Sequence, residues 1–202
     1  MLKKFITIEG GEGCGKSTLC LRLNEMLNEL NIDHIITREP GGIKASEEMR
    51  EIIFGNILER KSEVLLFAAA RNEHLLQKII PALESGKLVI CDRYVDSSLA
   101  YQGYAQGLGI DEVLNINQYV IGDNFPHITF WLDMEVEEAL ARITNEREIN
   151  HYDQKAVKFH EDVRAGYQIL MERYPERFIK LDATKSIDEL AKIVIEKLIC
   201  LK

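Results

Sequence analysis

No apolar run in this chain approaches the roughly 18 residues a membrane-crossing helix needs, so no such helix is expected. Basic residues are in deficit: 25 Lys and Arg stand against 33 Asp and Glu, a net charge of −8. That balance argues against a general nucleic-acid surface, where cations must neutralise phosphates. The four cysteines, Cys14, Cys20, Cys91 and Cys200, form no C-x-x-C pair and no zinc-type His/Cys spacing. Reduced thiols in a cytoplasmic protein are the expectation. Repeats, low-complexity tracts and the guanine-reading N-K-x-D pattern are missing. The opening Met-Leu-Lys-Lys-Phe leads directly into a strand-like run, which is unlike a secretory leader.

What is present is an ordinary globular composition, 46% hydrophobic and 29% charged, in 202 residues. One domain, residues 1–202, is the simplest expectation, large enough for a sheet covered on both faces. Gly10-Gly11-Glu12-Gly13-Cys14-Gly15-Lys16-Ser17 satisfies the phosphate-loop pattern G-x-x-x-x-G-K-[ST]. Before it, Phe5-Ile6-Thr7-Ile8 suits a buried strand; after it, Leu19, Leu23, Met26, Leu27 and Leu30 recur at helical spacing. In that setting successive backbone N–H groups point into one concavity at a helix N-terminus. Lys16 then reaches the β/γ-phosphates and the Ser17 hydroxyl is placed for Mg²⁺. Residues Gly10 to Thr18 are the predicted nucleoside-triphosphate-binding segment.

Five strand-like runs (Phe5–Ile8, His34–Thr37, Leu88–Cys91, Ile128–Leu132 and Phe178–Leu181) alternate with helical patterns. The helices are expected over 16–30, 44–54, 62–84, 111–121, 135–147, 155–173 and 186–199, with a short one near Asp96. This order predicts a doubly wound α/β domain with a five-stranded parallel sheet and helices on both faces. Ligands in such folds sit beyond the carboxyl ends of the strands. Arg38, Asp92, Arg93, Asp133 and Asp182 all fall there. Two strand-end arginines in an acidic protein form a local site for an anionic acceptor.

Several segments together resemble the thymidylate kinase family. They are the phosphate loop with Ile8-Glu9 before it, Thr37-Arg38-Glu39-Pro40-Gly41-Gly42, Leu66-Phe67-Ala68-Ala69-Ala70-Arg71, Asp92-Arg93-Tyr94, Ala100-Tyr101-Gln102-Gly103 and Lys158-Phe159-His160-Glu161. The resemblance covers essentially the whole chain, and the R-E-P-G-G and D-R-Y segments are its most specific parts. It implies transfer of the γ-phosphoryl of ATP, bound by Gly10 to Thr18, to dTMP with Mg²⁺, in a homodimer. Arg38 and Arg93 are then expected on the acceptor phosphate, with Lys16 and Arg93 among the catalytic groups. Asp92 joins Ser17 on the magnesium side. Phe67 is expected against the base, with Arg71 and Ser98 at its edge and Gln102 nearby. Tyr101 is expected under the deoxyribose and Glu12 at its 3′-hydroxyl.

The family often carries an Arg after the phosphate-loop acid, where this chain has Gly13. The charge in the transition state is therefore expected to fall to a lid over about 144–153, with Arg147 as the catalytic arginine. His151 stands where related sequences often have a second Arg; it reads either as an ordinary lid residue or as a pH-dependent replacement. A nucleoside kinase would want a carboxylate base at a 5′-hydroxyl, whereas paired arginines fit an acceptor already phosphorylated. A nucleotide switch would have no second pocket.

Overall fold

The computed structural model describes residues 4–144 and 151–200. Five strands form one parallel sheet: β1 (Phe5–Gly10), β2 (His34–Arg38), β3 (Leu88–Asp92), β4 (Ile128–Asp133) and β5 (Phe178–Asp182). Their order is β2-β3-β1-β4-β5, with β1 registered on both neighbours through Ile6↔Ile90 and Ile6↔Ile128. All six residues of β1 and of β4 are buried, which is why these strands read as near-continuous apolar runs. All five predicted strands are present, each extended by one or two residues at its carboxyl end.

Around the sheet lie α1 (Lys16–Glu29), α2 (Lys44–Gly55), α3 (Arg60–His74), α4 (Ile80–Glu84), α5 (Val95–Ser98), α6 (Ile110–Ile121), α7 (Val136–Thr144), α8 (His151–Arg173) and α9 (Ile187–Cys200). On one face Ile6, Ile8, Ile90 and Phe130 pack with Leu19, Leu23 and Leu27 of α1 and with Leu190 and Val194 of α9. On the other, Phe5, Val89, Cys91 and Trp131 pack with α3, α5, α6 and α8, where Tyr167 stacks on Trp131. Each fully buried aliphatic side chain contributes about 1.5–3 kcal/mol. Alternation along β1 sends Ile6 and Ile8 to the first core, while Phe5 joins the second.

The one helix expected over 62–84 is interrupted. It starts at Arg60, widens to a π-helical turn over Leu75–Ile79 and resumes at Ile80. Pro81 has no N–H to give to the preceding turn, so the ladder shifts register just before it. A second π-helical stretch, Leu99–Ala105, continues α5 and carries Tyr101 and Gln102.

Candidate active site

The carboxyl ends of β1, β2 and β3 meet the N-terminus of α1, and the phosphate loop fills the gap. Gly10 has φ +143°, and a Cβ there would lie 2.5 Å from the Leu132 carbonyl oxygen. Gly13 (φ +75°) closes so tightly on α7 that a Cβ would run into the Ala139 carbonyl. An arginine is sterically excluded from Gly13 in this arrangement. Lys16 is almost fully buried and its Nζ donates to the Gly11 carbonyl at 2.5 Å. Burial, and after it the Arg93 charge, lowers its pKa to about 8. Ser17 donates its Oγ–H to Asp92 Oδ2 at 2.7 Å, joining the two residues expected at a magnesium ion.

A cleft of about 190 Å³ opens beside the loop, lined by Glu12, Phe67, Arg71, Arg93, Ser98, Tyr101 and Gln102 among others. Seven predicted residues from five chain segments thus converge on one wall. Phe67 is half-buried and lies edge-on to Phe54, with ring centroids 6.3 Å apart. It faces the cleft. Arg71 is buried and anchored on all sides. Nε donates to Glu39 Oε2 at 2.7 Å, Nη2 donates to the Tyr94 carbonyl and to Ser98 Oγ, and Nη1 donates to Asn117 Oδ1. Glu39 also accepts from, or pairs with, His74 Nδ1 at 3.0 Å.

Arg93 sits in the left-handed region (φ 67°), a strained setting for a non-glycine residue at a site. Its guanidinium donates to the Gly10 carbonyl, Ser97 Oγ, Glu12 Oε1 and the Tyr101 hydroxyl. Burial opposes its charge, but Tyr101, Tyr167, Glu12 and Glu9 around it raise the pKa on balance. Glu12 is desolvated too, yet Arg93 and Lys16 hold its carboxyl below the usual range. Burial pushes Tyr101 up to about 12, so its hydroxyl stays a donor. Gln102 donates Nε2 to Glu63, which also receives Gln106.

Arg38 departs from the expectation in part. It lines the adjoining crevice with Ser17 and Asp92, and its Nη2 is paired with Glu47 at 2.8 Å. Arg50 of α2, which no motif marked, donates its Nη1 to the Pro40 carbonyl at 3.1 Å. Burial first, then the positive charges of Arg38 and Arg93, lower its pKa. Asp133, noted at its strand end, is tied up with Arg164 and Lys180 and belongs to the scaffold. Asp182 likewise caps Thr184 in a turn. Asn117, Glu39, Glu63 and Glu9 were also unmarked as site residues; each acts through a partner distant in sequence. Arg147, with residues 145–150 of the lid expected over 144–153, lies outside the described residues, as does the side chain of His151.

A family model described as thymidylate kinase matches residues 8–194. A thymidylate kinase of Bacillus velezensis is 52% identical over 186 residues, covering 90% of this chain and 88% of the relative. One from Clostridium novyi is 48% identical, covering 92% and 93%. The crystal structure of thymidylate kinase from Ehrlichia chaffeensis superposes with a TM-score of 0.79 at 35% identity, over 96% of this chain and 97% of that one. The phosphate loop, the second pocket and these matches agree: the chain belongs to the thymidylate kinase family, enzymes that phosphorylate dTMP.

Proposed function

We propose that the enzyme transfers the γ-phosphoryl of ATP to the 5′-phosphate of dTMP in the cytoplasm, giving dTDP on the way to dTTP. The observation that carries the reading is the pairing of a phosphate loop with a second cleft lined by the buried Arg71 and by Arg93, with Arg38 in the adjoining crevice. Phosphoryl transfer asks the protein chiefly to hold two anions in line and to neutralise charge as it develops. Lys16 and the N–H groups of the loop hold the donor. Arg93, with Arg38 and Arg50 at the mouth, binds the acceptor phosphate, and the catalytic lid arginine is Arg147. Phe67 stacks on thymine while Arg71, backed by Ser98, offers its remaining Nη1 hydrogen to the base edge. Tyr101 and Glu12 meet the deoxyribose and Gln102 lies beside the base.

The Ser17 hydroxyl and Asp92 fit a hard divalent cation whose other ligands are substrate phosphates and water. Among the described residues no group of three His, Cys, Asp or Glu could hold a metal alone. Mg²⁺ bound there would neutralise charge on the donor phosphates. The whole chain is read as one domain with a lid at 144–153. Leu65 of α3, Leu76 of the π-helical turn after it, Ile52 of α2 and Tyr119 of α6 are exposed, and α3 packs against α2 and α6; these apolar side chains support a homodimer. Among the described residues no helix is long and apolar enough to cross a membrane.

The test is an acceptor screen with ATP and Mg²⁺ over nucleosides and nucleoside monophosphates. dTMP is expected to be the preferred acceptor, with thymidine inert. Equal use of thymidine and dTMP would overturn the acceptor-arginine reading, and ATP consumption independent of any acceptor would overturn transfer itself.

A further inference from the structure

Glu9, the penultimate residue of β1, is completely buried on the α5/α8 side of the sheet. Among the described residues no Lys, Arg or His nitrogen lies within 4.0 Å of its carboxyl. Its partners are neutral. Oε1 accepts the Tyr94 N–H at 2.7 Å. Oε2 lies 2.6 Å from Ser97 Oγ and 2.9 Å from the Tyr167 hydroxyl, and those two hydroxyls are 2.9 Å from each other.

Three oxygens in mutual contact need three protons to fill three edges, and two hydroxyls supply two. With a carboxylate, one of those contacts is a pair of lone pairs facing each other in a dry site. A carboxylic acid supplies the third proton: Glu9 donates to Tyr167, Tyr167 to Ser97 and Ser97 to Glu9. Ser97 Oγ then keeps a lone pair for the Arg93 Nη1–H, 3.2 Å away.

We propose that Glu9 carries its proton in the active enzyme and is a positioning residue, whose hydrogen-bonded ring with Ser97 and Tyr167 fixes Arg93 for the acceptor phosphate. The inference rests on Arg93 meeting that phosphate. The surrounding charges agree with the ring. Burial first, then Asp96, raises the Glu9 pKa to about 7, against the lowering pull of Ser97, Arg93 and Tyr167. Asp96 is itself held in a bidentate pair with Arg177, which commits that cation away from Glu9. Above neutrality Glu9 becomes an anion that competes for Arg93 and repels the incoming phosphate.

Two measurements test this. Carbon NMR of enzyme labelled at the Glu carboxyls is expected to show one carboxyl titrating near neutrality in the wild type. If all of them titrate in the ordinary Glu range, the proton is wrong. Glu9→Gln keeps a donor and an acceptor but cannot ionise. The ratio of wild-type to E9Q KM for dTMP is expected to rise about fivefold between pH 6 and pH 8, with kcat moving much less. A ratio that stays flat with pH overturns the coupling to Arg93, even where E9Q is slightly less stable. If E9Q does not fold, Tyr167→Phe takes its place: it breaks the ring, and is expected to move the titration seen by NMR and raise the KM at pH 6. An unmoved titration in that variant also overturns the proposal. Failure of the acceptor-arginine reading shows separately, as an Arg93→Lys enzyme with unchanged KM for dTMP.

Discussion

On the proposed acceptor side of the cleft the cations are committed before any ligand arrives. Arg71 donates to four groups drawn from the segment after β2, α5, α6 and the turn after β3, and Arg93 also donates to four. On the donor side the charge is held loosely. Lys16 leans on a carbonyl of its own loop, and the rest of the phosphate cradle is backbone N–H. The acceptor pocket is therefore part of the scaffold, while the donor site is a loop at a helix end. Side-chain changes on the acceptor side should cost stability and binding together. Changes among the donor-side cations should cost turnover and leave the fold alone.

Arg147→Ala offers the largest effect and the cleanest test of the second half of that contrast. Turnover is expected to fall about a thousandfold, the scale of a lost phosphoryl-transfer arginine. Melting temperature and KM for dTMP should stay close to wild type, since the charge it meets develops in the transition state. Steady-state kinetics decide it; an unchanged kcat removes Arg147 from the mechanism.

Arg71→Ala probes the other half. Removing one partner of a buried pair leaves Glu39 uncompensated, a loss of about 3–5 kcal/mol by the usual behaviour of such pairs. In a chain of this size that is a drop of about 10 °C in Tm. Preference for dTMP over dCMP should fall as well. A variant that lost discrimination at full stability would break the comparison, because Arg71 would then be a ligand contact and nothing more.

The same contrast governs what could be read from the sequence. The phosphate loop is contiguous, so Gly10 to Thr18 and their strand–turn–helix setting were visible in one glance along the chain. All five strands were visible too, since a parallel sheet buried on both faces writes itself as short apolar runs. The acceptor pocket was legible only where a family-like segment carried it, as with Phe67, Arg71 and Tyr101. Its supports were not. Asn117 looks like any polar residue on an amphipathic helix until α6 brings its Oδ1 onto Arg71. Glu9 looks like a strand end until Tyr167, 158 positions away, closes on it. The break of helix 62–84 had a local signal in Pro81, but its form, a widened turn with the helix continuing, depends on packing beneath it. Arg38 was placed correctly at its strand end; only the Glu47 partner, reached through α2, shows which crevice it faces.

Phe67→Ala sharpens the line between scaffold and ligand contact within the acceptor pocket itself. Phe67 is half-buried and touches Phe54 edge-on, so its loss should cost little stability. A base stacked on an aromatic ring gains about 1–3 kcal/mol, so KM for dTMP should rise roughly tenfold or more. A large fall in Tm with a small change in KM would return Phe67 to the core and contradict its place on the cleft wall.

The smallest effect concerns Lys16, and its sign follows from its surroundings. Burial and the Arg93 charge depress its pKa to about 8, with Glu12 and Asp92 pulling the other way. The ammonium form is the one that binds phosphate oxygens, and a bound polyphosphate would favour that form further. Nucleotide binding should therefore take up a proton above pH 8, and affinity should fall as the pH rises through it. For a single group of that pKa the loss is about twofold between pH 7 and pH 8, then approaches tenfold per unit. Calorimetry with metal-free ADP in buffers of different ionisation enthalpy measures both the affinity and the proton. Lys16→Met should bind weakly at every pH, with the slope abolished. If wild-type affinity were flat from pH 7 to pH 9, Lys16 would be fully charged in the empty loop, and the donor side would be as firmly prearranged as the acceptor side.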